Sequence, residues 1–135
     1  MIRSGAYNAG DSWNTDNWVK AMFPGAFDPC PYNPEWDESH YDGLQDDWIT
    51  EPGLVFINPP YSNVMPWIDR ALEQKFAANM DNQTLTIVFL LKHDSSTKWY
   101  AKLHEAGARF LSIQGRLKHG TNSAASFPSV LAVLE

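Results

Sequence analysis

The tetrapeptide Asn58-Pro59-Pro60-Tyr61 follows directly on an apolar run, Leu54-Val55-Phe56-Ile57. Two consecutive prolines lack a backbone N–H and hold φ near one value, so the chain turns stiffly and leaves the carbonyls of Asn58 and Pro59 without local donors. The Asn58 side-chain oxygen and the Pro59 carbonyl then form a rigid pair of acceptors, with the flat ring of Tyr61 beside them. Such a pair suits an exocyclic amino group on a nucleobase. The lone pair of that nitrogen is delocalised into the ring, which makes it a poor nucleophile. Two acceptors on its two hydrogens favour the tetrahedral geometry in which the lone pair is available, an interaction that strengthens toward the transition state and needs no prior general base. A base swung out of a duplex can stack on Tyr61, a contact worth about 1–3 kcal/mol. The plainer alternative is a proline-rich turn ending a strand, with Asn58 as an ordinary turn residue.

Other chemistries find less support. His40, His93, His104 and His119 are scattered, with neither HExxH nor paired-cysteine spacing, so no metal centre is expected. His93, in Lys92-His93-Asp94, has no nucleophile placed beside it and reads as a loop histidine. Cys30 is flanked by Pro29 and Pro31, and the Asn58 corner points to amino-group chemistry rather than a thiolate nucleophile.

The elements that must hold this corner follow from hydrophobic spacing. A helix is expected to start at Thr15 and end at Pro24-Gly25, with Trp18 and Met22 facing inward. Ala26-Phe27-Asp28 reads as a short strand running into three closely spaced prolines, and residues 35–53 as an acidic loop. Leu54 to Ile57 is a buried strand. Asn63 is expected to cap the next helix, with Pro66 in its first turn and Met65, Ile68, Leu72 and Phe76 as its apolar stripe. Thr84 to Leu91 is a second strand. A helix starting at Ser95 or Ser96 carries Trp99, Leu103 and Ala106 inward and ends at Gly107, before strands at Arg109 to Ile113 and Ser129 to Leu134. The alternation implies two right-handed βαβ crossovers and an α/β fold, with a mostly parallel sheet and an antiparallel C-terminal strand. The Asn58 corner then lies at the C-terminal end of a parallel strand, where open α/β sheets bind ligands.

At 135 residues the chain has room for one domain and not two, so residues 1–135 are read as a single unit that needs no disulfide framework. The lone cysteine suits a reducing compartment. No uninterrupted apolar run is longer than Ile87 to Leu91, too short for a membrane span, and Met1-Ile2-Arg3-Ser4-Gly5 lacks the apolar core of a secretory signal. A soluble, cytoplasmic protein is expected. A net charge of −6 argues against binding nucleic acid through overall basicity. The charge is unevenly placed, however: only Arg3 and Lys20 oppose ten acids up to Tyr61, whereas residues 62–135 hold eight basic and six acidic residues.

Taken in order, several segments resemble the S-adenosylmethionine-dependent amino-methyltransferases, and more closely the phage-type DNA N6-adenine methyltransferases, the Dam-like family. They are Ser12-Trp13-Asn14-Thr15, Phe27-Asp28-Pro29-Cys30, Asp42-Gly43-Leu44 with Trp48, Phe56 to Ser62, Gly115-Arg116-Leu117-Lys118 and Ser126-Phe127-Pro128-Ser129. The resemblance implies a reduced Rossmann-like methyltransferase domain, S-adenosylmethionine as cofactor and DNA as partner, in a host cytoplasm. It assigns Asn58, Pro59, Pro60 and Tyr61 to catalysis. Trp13 and Thr15 match the segment that closes over the methionine end of the cofactor. Asp28, with Pro29, matches the acidic position of the cofactor motif, and Cys30 is expected to pack beside that pocket. Asp42 matches the aspartate that accepts from the cofactor's adenine amino group. Lys92, Arg116 and Lys118 are the candidate phosphate contacts in the more basic half, whereas Lys98 and Lys102 read as a solvated helix face.

Two departures stand out. Asp28-Pro29-Cys30-Pro31 replaces the glycine-rich loop of larger relatives, so the cofactor carboxylate must be held otherwise, and Asp16 stands where many relatives carry proline. No separate target-recognition domain is expected, which would leave sequence specificity to loops. The same motif also serves N4-methylation of cytosine, and methylation of RNA or of a protein glutamine. A member that binds nucleic acid or a protein without catalysis is a further alternative. An exposed sheet edge makes a homo-oligomer possible.

Overall fold

The computed structural model describes residues 17–31, 42–49, 53–115, 117 and 127–135. They form α1 (Asn17–Ala21), β1 (Leu54–Ile57), α2 (Met65–Met80), β2 (Thr86–Lys92), α3 (Lys98–Glu105), β3 (Arg109–Ser112) and β4 (Ser129–Leu134). The sheet order is β1-β2-β4-β3. β1 and β2 pair in parallel, and β4 is antiparallel to both β2 and β3. Three strands therefore run one way and the last opposes them, as expected. Because β4 lies between β2 and β3, however, the sheet is mixed, with one parallel pairing among the named strands. Beyond β1, Phe27 forms a single parallel bridge to Val55. The short strand expected at residues 26–28 is reduced to that contact.

Alternation along the strands divides the core between two faces. Val55, Ile57, Ile87, Phe89, Leu91, Val130, Ala132 and Leu134 pack with α2 and α3. Phe56, Val88, Leu90 and Leu131 pack on the other face with Val19 and Leu117. On α1 it is Val19, with Phe23 one turn on, that faces the sheet, whereas Trp18 and Met22 are 54% and 52% exposed. On α2 the buried side chains are Trp67, Ile68, Ala71, Gln74 and Ala78. Phe76, expected in the stripe, is 68% exposed: the buried face runs through Trp67, which is fully buried and stacked on Trp48, and so lies about one position from the expected stripe.

The expected caps shift in the same way. The residue before α2 is Val64, with no side-chain cap, so Asn63 does not cap it, although Pro66 lies in the first turn. Thr97 rather than Ser95 or Ser96 caps α3, accepting from the Tyr100 N–H at 3.3 Å. Leu103 is the fully buried residue of α3, with Trp99 partly buried and Ala106 exposed. Gly107 ends that turn at φ +87°, as a glycine there should.

Gln74 ties the acidic segment to this frame. Its side-chain oxygen accepts from the buried Trp48 N–H at 2.8 Å, across 26 residues of sequence. Replacing Gln74 by Leu leaves that N–H buried without an acceptor and is expected to cost about 1–3 kcal/mol in chemical denaturation.

Candidate active site

β1 and β2 lie side by side in parallel, so both strands end at one edge of the sheet, and Ile57 pairs with Phe89 there. The chain turns at that edge because Pro59 and Pro60 cannot continue the ladder. Asn58 is partly exposed, and both prolines are buried. The Pro60 carbonyl accepts from the Asn63 N–H at 3.1 Å and closes the turn. Among the described residues nothing donates to the Pro59 carbonyl.

Tyr61 folds back over the end of β2. Its hydroxyl donates to the Leu90 carbonyl at 3.3 Å, and its ring packs partly on the core. Burial raises its pKa well above the ordinary phenol value, so the hydroxyl remains a proton donor at neutral pH. Phe127 meets the ring edge-on, with centroids 5.2 Å apart and planes at 72°. The Lys92 ammonium lies 5.7 Å from the Phe127 centroid. Phe127 was legible only as a piece of the family pattern, since an aromatic before a strand has no periodicity to mark it.

A second group of candidates gathers on the other side of β1. The bridge from Phe27 to Val55, with hydrogen bonds of 2.9 and 3.0 Å to Leu54 and Phe56, brings Asp28, Pro29 and Cys30 alongside β1. Asp28 accepts from the Cys30 N–H at 2.9 Å. Cys30 is buried in the core. Asp42 accepts from the Leu44 N–H at 2.9 Å, and its own N–H donates to Asp46. Gly43 brings this turn to the first: a β-carbon there would collide with the Pro29 carbonyl and come within 2.7 Å of the Trp67 ring. The Trp48 indole N–H donates to the Gly43 carbonyl at 2.7 Å, and its ring stacks on Trp67. Asp28-Pro29 and Asp42-Gly43, apart in sequence, are thus neighbours.

Between α1 and β1 lies a cleft of ≈ 230 Å³ lined by Lys20, Phe23, Ala26, Asp28 and Phe56. Phe23 and Phe56 stack along it with centroids 5.2 Å apart. Lys20 was not singled out from sequence, because nothing in a helical lysine's spacing shows that it borders a cleft. Trp13, Thr15, Arg116 and Lys118 lie outside the described residues. No group of His, Cys, Asp and Glu side chains able to hold a metal ion occurs among the described residues, and no helix among them is long and apolar enough to cross a membrane.

A family model described as DNA N-6-adenine-methyltransferase (Dam) matches residues 6–128, nearly the whole chain. The chain belongs to the Dam family. Among proteins similar to it is a DNA N-6-adenine-methyltransferase of Haemophilus phage HP1 (strain HP1c1), 40% identical over 57 residues. That alignment takes in 42% of this chain and spans 29% of the length of the phage protein. No solved structure matches the chain significantly.

Proposed function

We propose that this chain transfers a methyl group from S-adenosylmethionine to the N6 amino group of adenine in DNA, on a reduced Rossmann-like sheet. What supports the reading is the Asn58-Pro59-Pro60-Tyr61 corner, with nothing among the described residues donating to the Pro59 carbonyl, at the shared edge of two parallel strands in a Dam family chain. Asn58 and the Pro59 carbonyl each accept a hydrogen bond from one N6 hydrogen, which favours the geometry with the nitrogen lone pair out of the ring plane; once methylated, the nitrogen releases one of these protons to water. Tyr61 and Phe127 form an aromatic corner against which a flipped base is held. Orientation and charge stabilisation supply most of the rate.

The cleft beside Asp28 fits the cofactor chemically. Its aromatic walls suit a purine or the uncharged carbons, the Asp28 carboxylate suits an ammonium, sulfonium or ribose diol, and Lys20 suits a carboxylate. Lys20 thereby offers what a glycine-rich loop supplies in larger relatives. S-adenosylmethionine brings the electrophilic methyl group; the chain binds and orients. Asp42, Trp13 and Thr15 complete the proposed cofactor contacts, and Lys92, Arg116 and Lys118 the DNA contacts.

The test is methyl incorporation from labelled S-adenosylmethionine into unmodified duplex DNA, with RNA and peptide as competitors. Incorporation into DNA is expected; transfer only to RNA or peptide, or no cofactor binding by calorimetry, overturns the reading. Within that assay, Tyr61→Ala removes the stacking ring and is expected to raise KM for DNA by roughly 5- to 150-fold, the equivalent of about 1–3 kcal/mol. Tyr61→Phe retains the ring and is expected to stay within about tenfold of wild type, the Leu90 tether being one net hydrogen bond.

A further inference from the structure

We infer that the segment leading from β2 into α3, through Lys92, His93, Lys98 and Tyr100, is the surface that carries the phosphate backbone of DNA beside the target nucleotide. The inference rests on the DNA-methylating reading above and gives that site its docking surface. It starts from the use of cations. Arg70 is spent on the carbonyls of Gln45 and Asp46, both at 2.9 Å, and on Glu73. Lys75 donates to the Leu85 carbonyl at 2.7 Å, Lys102 pairs with Asp69 and Arg109 with Glu135. Lys20 borders the cleft on the far side of β1.

Lys98 is exposed, and among the described residues no hydrogen bond or ion pair engages it. Lys92 is exposed and lies over Phe127, which touches Tyr61. Asp94, the acid of this segment, is turned onto Ser96, accepting from its N–H at 3.1 Å and its hydroxyl at 2.5 Å. Two lysines against one internally bonded acid leave this strip net positive in a chain of net charge −6.

Its position is set by contacts. The His93 N–H donates to the Pro128 carbonyl at 2.9 Å, which fixes the loop beside Phe127. The His93 ring lies parallel to Tyr100, with centroids 6.4 Å apart, and Tyr100 stacks on Phe110 at 4.3 Å. Both rings are partly exposed, and no described group hydrogen-bonds the imidazole of His93 or the hydroxyl of Tyr100. Cations together with polar ring atoms that no described group hydrogen-bonds, continuous with the corner at Tyr61, match a line of phosphates rather than an apolar partner.

The test uses the full chain and a labelled mixed-sequence DNA duplex, with Kd measured across a salt series. For Lys98→Ala the slope of log Kd against log salt is expected to fall by about 1. Lys98→Glu is expected to weaken binding further. In both variants KM for DNA rises, while kcat at saturating DNA and the Kd for S-adenosylmethionine stay at wild-type values. His93→Ala, at a side chain outside the core, raises KM in the same direction. Wild-type slope and KM in both Lys98 variants would overturn the inference. Failure of the functional reading looks different: the wild-type chain itself would transfer no methyl group to DNA, while the salt slopes would still report on the strip.

Discussion

Asn58→Ala is expected to lower kcat for methyl transfer by about 10²–10³-fold or more, with KM for DNA and the melting temperature little changed. The argument is differential binding. In the ground state the amino group is planar and conjugated, and its hydrogens are weakly polarised. As the nitrogen takes the methyl group it becomes cationic, and the acceptors that hold its hydrogens matter most at that moment. Removing one preorganised polar partner of this kind costs about 2.7–4 kcal/mol in comparable sites. Asn58 is partly exposed beyond the end of β1, so its truncation leaves no core cavity. Asn58→Asp keeps an acceptor in place and is expected to stay within about tenfold of wild type. Steady-state kinetics on DNA with thermal melts of the same preparations separate the two effects.

Gly43→Ala is the second large effect, and it acts through the fold. The added methyl would meet the Pro29 carbonyl and the Trp67 ring, neither of which has room to move: Trp67 is fully buried, and Pro29 is buried beside Cys30. Overpacking of this sort costs about 1–3 kcal/mol, a melting temperature lower by roughly 3–10 °C for a chain of this size. Because Gly43 holds the Asp42 turn against Asp28-Pro29, the affinity for S-adenosylmethionine is expected to fall about tenfold or more. Calorimetry below the melting transition reads that loss directly. Ala at Gly25 or Gly115, whose β-carbons would meet nothing within 4 Å, bears only the cost of positive φ and is expected to leave cofactor affinity alone.

What could be read from the sequence was whatever depends on local chemistry. The apolar run at Leu54 to Ile57, the stop at Pro59-Pro60 and the glycine at 107 each report a short-range constraint, and all three lie where their spacing puts them. Helix faces were less legible. At α1 the choice between Trp18 with Met22 and Val19 with Phe23 is one residue of rotation, and Val19 and Phe23 went inward while Trp18 and Met22 stayed in solvent. At α2 the bulk of Trp67, stacked on Trp48, moved the buried stripe away from Phe76. The place of β4 between β2 and β3 could not be seen, because strand order depends on pairing across long separations rather than on any local pattern.

The candidate site divides in the same way. Asn58 to Tyr61 is one contiguous word, visible at once. The nearness of Asp42-Gly43 to Pro29 depends on a glycine's missing side chain, and the part of Lys20 on a cleft between two elements. Neither has a signature in spacing. Phe127 reaches Tyr61 from a segment more than sixty residues later, through the antiparallel return of β4.

The most direct measurement is nucleoside analysis of duplex DNA after incubation with the wild-type chain and isotopically labelled S-adenosylmethionine, beside the same reaction with Asn58→Ala. The label is predicted in N6-methyladenine with the wild-type chain and is lost with the variant. Label in N4-methylcytosine or 5-methylcytosine, or undiminished N6-methyladenine from Asn58→Ala, would contradict the account.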